Sequence, residues 1–125
     1  MRVSELTGAA LDWAVAKCEG EEVSLVKGQL ETRWTDNGWK PSTDWAQGGP
    51  IIERGGINVR WCVREKDGSL SRWWAEISKV IVDPLTKKKR GEKIIELGPT
   101  PLIAAMRCYV ASKLGDEVEV PEELK

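Results

Sequence analysis

Histidine and phenylalanine are absent from this chain, and there is one tyrosine, Tyr109. Without an imidazole, the usual neutral-pH general base and the commonest metal ligand are missing, which excludes His-based triads, His-metal centres and imidazole proton shuttles. Cysteine is scarce and dispersed: Cys18, Cys62 and Cys108 form no CxxC pair. That usage fits apolar fillers in a reducing compartment better than a disulfide framework or a zinc site. Neither charge dominates, with 19 basic against 20 acidic side chains, so bulk electrostatics argue against nucleic acid as a partner. No apolar run approaches the roughly 18 residues of a membrane span, and no h-region follows Met1 and Arg2, so a cytoplasmic protein without a membrane partner is expected.

Tryptophan runs the other way, with seven copies in 125 residues. Its large face and single N–H donor suit both compact cores and sites that hold planar ligands. The length predicts one domain.

Along the chain, Leu11, Ala14, Val15 and Cys18 recur at helical spacing behind Thr7 as N-cap, Leu6 and Leu11 fit a hydrophobic staple, and Gly20 ends the helix. Short strands are predicted over 22–26 and 29–34, around Gly28. From Thr35 to Gly56 no period of 2 or 3.6 survives; five of the 12 glycines fall there, which predicts one long ordered loop. Ile57, Val59, Trp61 and Val63 alternate with polar residues, and residues 70–77 return as a partner strand. A two-residue turn at Asp67 and Gly68 would set the apolar row against Arg72 and Glu76. A three-residue loop over Lys66, Asp67 and Gly68 instead sets Trp61 opposite Trp73, Val59 opposite Ala75 and Ile57 opposite Ile77. In that register Trp74 lies on the polar face across from Arg60.

Residues 80–82 and 94–97 are predicted as two further strands, joined by an exposed loop carrying Lys87, Lys88, Lys89 and Arg90. A closing helix opens with Thr100 as N-cap and Pro101 at its first position, with an apolar stripe of Leu102, Ile103, Met106, Tyr109, Val110 and Leu114 before Gly115. An acidic tail from about residue 116 completes a single α+β domain: an antiparallel sheet with an N-terminal and a C-terminal helix packed on it.

The long loop carries the densest ligand chemistry. Asp44, Trp45, Gln47, Gly48, Gly49 and Arg54 combine an indole, an amide, a Gly-Gly turn able to present N–H groups and a guanidinium, a set suited to a planar molecule bearing phosphate or carboxylate. The competing reading makes Trp45 a core plug, worth on the order of 5 kcal/mol for about 200 Å² buried. Trp74, with Arg60 and Arg72, is the second candidate; folded over the sheet, the loop would let Trp45 and Trp74 sandwich a base. The run Lys87–Arg90 reads as a solvated turn. No Walker loop, GxSxG, HExxH or EF-hand pattern is present.

Three stretches, VSELTGAALDWAVAK, PSTDWAQGGPIIER and GPTPLIAAMRCYVASKLGDEV, resemble the NinX family of small proteins from the nin region of lambdoid phages and prophages. The resemblance covers about 40% of the chain and leaves the middle, near residues 57–98, without a detailed match. It implies a phage accessory protein in the host cytoplasm and transfers no catalytic residue. Because accessory regions of phage genomes are rich in proteins that block host defence, it also implies a counter-defence setting.

The expectation drawn from residues and resemblance together is a protein that is no enzyme and needs no cofactor or metal, and that sequesters a nucleotide-derived signal without turnover. The ligand would stack on Trp45 and Trp74, be read by Asp44 and Gln47, and be held by Gly48, Gly49 and Arg54. Nanomolar capture, about −12 kcal/mol, is hard for one shallow face, so a homo-oligomer is expected. Trp45→Ala should then abolish binding. Two alternatives stand beside it: an inhibitor that binds a host or phage protein through a Trp-rich surface, and a carboxylate-metal enzyme acting on a nucleotide through Asp44 and Glu53.

Overall fold

The computed structural model describes residues 1–32, 38–62 and 72–125. A 3-10 turn at Val3–Glu5 leads into α1 (Gly8–Glu19), followed by β1 (Ser24–Val26) and β2 (Gln29–Glu31), α2 (Trp45–Gly55), β3 (Asn58–Cys62), β4 (Arg72–Val82), β5 (Lys89–Gly98) and α3 (Pro101–Leu114). This is the expected α+β domain, but its strands form two antiparallel sheets where one was predicted: β1–β2, and β3–β4–β5.

The small sheet turns at Lys27 (φ 51°) and Gly28 (φ 82°), the two successive positive φ values that a tight type I′ hairpin needs. Its second strand ends at Glu31, and residues 33–37, which include the end of the predicted strand and the start of the predicted loop, lie outside the described residues. In the larger sheet the predicted register is observed, with Trp61 opposite Trp73, Val59 opposite Ala75 and Arg60 opposite Trp74. Trp61 and Trp73 meet edge to face, with ring centroids 5.2 Å apart. The predicted three-residue loop at 66–68 lies outside the described residues.

The strand boundaries need correction. Residues 80–82 are no separate strand: β4 runs unbroken to Val82, and β5 begins at Lys89, so Lys89 and Arg90 are strand residues and only Lys87 and Lys88 belong to the connecting turn. Both strands extend beyond the helix layer, where no core imposes an alternating pattern for sequence reading to detect.

Helix α3 organises the core. Thr100 Oγ1 accepts from the Ile103 N–H (3.1 Å) and Pro101 opens the helix, as predicted. Yet every residue from Leu102 through Ser112 except Ile103 is buried, so the helix is covered nearly all round and the predicted stripe is too narrow. Leu114, counted in the stripe, is exposed. The helix lies against β4 and β5 on one side and receives α1 and α2 on others; α1 therefore packs on α3 and β2, where sheet packing was expected. Leu6 and Leu11 are fully buried and Gly20 caps α1 in the left-handed conformation. Cys108 is buried and Cys18 half-buried, consistent with filler roles.

The residues after 115 are no solvated tail. Val118 and Val120 are buried in the core cluster, the Val118 N–H donates to the Met1 carbonyl (3.0 Å), and the backbones of Arg2 and Glu117 pair in an isolated antiparallel β-bridge. Acidic residues at 117 and 119 alternate with these valines, so the segment docks through one side while its charges stay in water. No helix among the described residues is long and apolar enough to cross a membrane.

Candidate functional site

The predicted ligand loop contains α2, and this changes the role of most candidate residues. Asp44 is its N-cap, accepting the Ala46 N–H at 2.9 Å, and Gly56 (φ 60°) closes it in the left-handed region. Two adjacent glycines and Pro50 disfavour a helix intrinsically. Packing overrides that cost: a Cβ on Gly48 would lie 2.4 Å from the Pro41 carbonyl oxygen and 2.6 Å from Leu102 Cδ2, so only glycine allows α2 to approach α3 this closely. Gly48, Ile51, Ile52 and Gly55 form the inward row at i, i+3, i+4 and i+7. Pro50 and Ala46 are exposed, so water can serve the carbonyl that Pro50 leaves without a donor.

Gly48 and Gly49 therefore form no anion-binding turn. The Gly48 N–H donates to the Asp44 carbonyl at 2.8 Å, and Gly49 lies in the helix interior. Gln47 ties down the preceding segment, its Oε1 accepting from the Lys40 N–H (2.8 Å) and its Nε2 donating to the Gly38 carbonyl (2.9 Å). Arg54 pairs with Glu19 at 2.5 Å, and Glu19 also accepts from the Tyr109 hydroxyl at 2.6 Å. Burial and that hydrogen bond push the Tyr109 hydroxyl well above its ordinary pKa. Trp45 is 56% exposed, so it is no core plug. Asp44 and Glu53 stand nine residues apart on one helix, about 13 Å along its axis, and cannot share a metal. Among the described residues, no cluster of three His, Cys, Asp or Glu side chains could hold one.

The other candidates do converge. Ala75 and Ile77 of β4 face the core, so Trp74, one residue before Ala75, points to the opposite face of the sheet. Because α2 packs on α3, and α3 on the core face, the predicted Trp45–Trp74 sandwich cannot form. Arg60 lies directly across from Trp74, its guanidinium carbon 5.0 Å from the indole centroid. Among the described residues, the buried Trp74 Nε1–H has no hydrogen-bond partner.

Beside Trp74 opens a cleft of about 300 Å³. Ile95 and Leu97 of β5 supply its apolar wall, Arg72 and Arg107 its cations, and Ser4 and Glu96 its remaining polar groups. Arg107 is anchored from below, its Nε donating to the Leu6 carbonyl and its Nη1 to the Leu97 carbonyl, both at 2.8 Å. Burial pushes the Glu96 carboxyl up, and Arg107 pulls it back. The cleft thus joins an aromatic face, a buried N–H donor unused among the described residues and two guanidiniums against one carboxylate, with Arg60 over the ring as a third cation, a set that attracts a planar anion.

The eight predicted residues divide accordingly. Arg60 and Trp74 lie together at this cleft; Asp44, Trp45, Gln47, Gly48, Gly49 and Arg54 belong to α2, on the other side of the sheet. Sequence reading missed Arg107, although a lone charge inside an otherwise apolar helical run was a usable signal. Asp12 gives the same signal in α1: buried, it accepts the Ser42 N–H at 2.8 Å.

No curated protein matches the chain significantly. The family model described as Bacteriophage P22, NinX matches residues 2–113, nearly the whole described fold and every residue that lines the cleft, and the chain accordingly belongs to the phage NinX family.

Proposed function

We propose that this phage accessory protein captures a nucleotide-like planar anion on the open face of its larger sheet and holds it without turnover, withdrawing a host signal from use. The observation that carries this reading is the buried Trp74 Nε1–H, without a partner among the described residues, beside a ring already capped by Arg60. An unmade buried hydrogen bond costs about 1–3 kcal/mol, which a ligand acceptor would recover. The base or other flat group packs along Trp74 against Ile95 and Leu97, while Arg72 and Arg60 meet the phosphate. Arg107, held by two backbone carbonyls, supplies fixed positive charge.

Titration of intrinsic tryptophan fluorescence with nucleoside monophosphates and cyclic dinucleotides tests the assignment. Trp74→Ala should weaken binding by about 10- to 100-fold, the worth of one stacked base. Trp45→Ala should leave both affinity and circular dichroism unchanged, because Trp45 is exposed on the far side of the sheet. Loss of binding in Trp45→Ala with retention in Trp74→Ala would return the site to α2.

A further inference from the structure

Beyond Lys79, whose Nζ donates to the Ser112 carbonyl near the end of α3, β4 and β5 continue as a two-stranded arm in which no residue is buried by the described residues. Its tip is ordered by its own hydrogen bonds: Asp83 Oδ1 accepts the N–H groups of Leu85 and Thr86, and the Asp83 N–H donates to the Lys88 carbonyl. Two properties coincide there. Val80 is 70% exposed and Leu85 91% exposed, and residues 80–91 hold four cations, Lys87, Lys88, Lys89 and Arg90, against one acid, although the whole chain carries −1.

The β1–β2 hairpin carries charge of the opposite sign. A cleft of about 640 Å³ is lined there by Glu21, Glu22 and Glu31 with Val26, and Leu25 beside it is exposed. Residues 20–32 hold these three acids against one cation, Lys27. Each surface therefore combines exposed aliphatic side chains with charge, and the two charges are opposite. We propose that the β4–β5 arm of one copy docks in the acidic β1–β2 cleft of a second copy of this chain, reciprocally, giving a two-fold dimer. Reciprocal exchange uses each arm and each cleft once, so the assembly closes. A nucleic acid would satisfy the cations but leave Val80 and Leu85 in water, whereas the acidic cleft offers Leu25 and Val26 to cover them. The inference is independent of the ligand reading, since neither surface includes Trp74 or Arg60.

The test is a charge swap on the full chain, read by light scattering after size exclusion. The wild type should show twice the 13.9 kDa monomer mass at low salt and shift toward monomer as salt rises. Lys87→Glu/Lys88→Glu/Lys89→Glu and Glu21→Lys/Glu22→Lys/Glu31→Lys should each be monomeric alone, with unchanged circular dichroism, and should form a dimer when mixed. Leu85→Asp, which alters the apolar contact at the tip, should also yield monomer. A monomeric wild type, or an arm variant that still dimerises alone, overturns the proposal. Binding of a DNA duplex by a monomeric wild type, lost in the arm variant, would overturn it in favour of nucleic acid.

Discussion

Gly98→Ala should destabilise the fold by about 3 kcal/mol, the upper part of the usual range for overpacking a close contact. Gly98 ends β5 where α3 begins to cross the sheet, and a Cβ there would lie 2.6 Å from the Ala104 nitrogen and 2.9 Å from Ala104 Cα. Those atoms are helix backbone, held by the Ala104 N–H bond to the Thr100 carbonyl at 3.0 Å, so no rotamer change relieves the clash. The helix must move off the sheet, which loosens Ala75 and Cys108 in the same core. Urea unfolding should show the lower midpoint, and thermal unfolding a fall of about 10 °C. Gly91→Ala is the control: it is an exposed strand position whose added Cβ meets nothing within 4 Å, and it should be nearly neutral. Equal losses at both positions would mean that the close approach of β5 and α3 is wrong.

Asp12→Asn should stabilise the protein by up to about 3 kcal/mol at pH 7, because burial pushes the Asp12 carboxyl up to about 6 while the Ser42 N–H only partly holds it down. The sign follows from proton binding. Between the unfolded value near 4 and the folded value near 6, the folded state holds the proton that the unfolded state has released, so stability falls as pH rises through that window. Below it the carboxyl is neutral in both states, and the two proteins should be nearly equally stable. Above it the wild type buries a charge that asparagine lacks, while an amide oxygen can still accept from Ser42 and leave the link from α1 to the 39–42 segment intact. Unfolding curves at pH 4 and pH 7 should therefore show a difference that opens with pH. A variant less stable than wild type at both pH values would show that the carboxylate is favoured as the anion.

These residues also show what the sequence could reveal. Helices α1 and α3 were legible because Thr7, Gly20, Thr100 and Pro101 mark their ends and their apolar spacing agrees with those marks. The β3–β4 register was legible because only one pairing keeps Trp61, Trp73, Val59 and Ala75 on a common face. Helix α2 was hidden since Gly48, Gly49 and Pro50 lower its intrinsic propensity, and the reason for Gly48, contact with Pro41 and Leu102, exists only in the folded molecule. The arm was hidden for the converse reason: with no core beneath Val80 and Val82, burial imposes no pattern there. Half of the candidate cleft was visible in Trp74, Arg60 and Arg72, which the register alone places together. Arg107 and Leu97 come from elements whose meeting requires the full tertiary fold.

The most direct test of the ligand reading is native mass spectrometry of the wild type and Trp74→Ala, each incubated with a filtered small-molecule extract of phage-challenged cells. The site at Trp74 predicts a discrete added mass on the wild type, released chemically unchanged on denaturation and absent from the variant. Clean ligand-free spectra for both proteins, or equal loading of both, would contradict it.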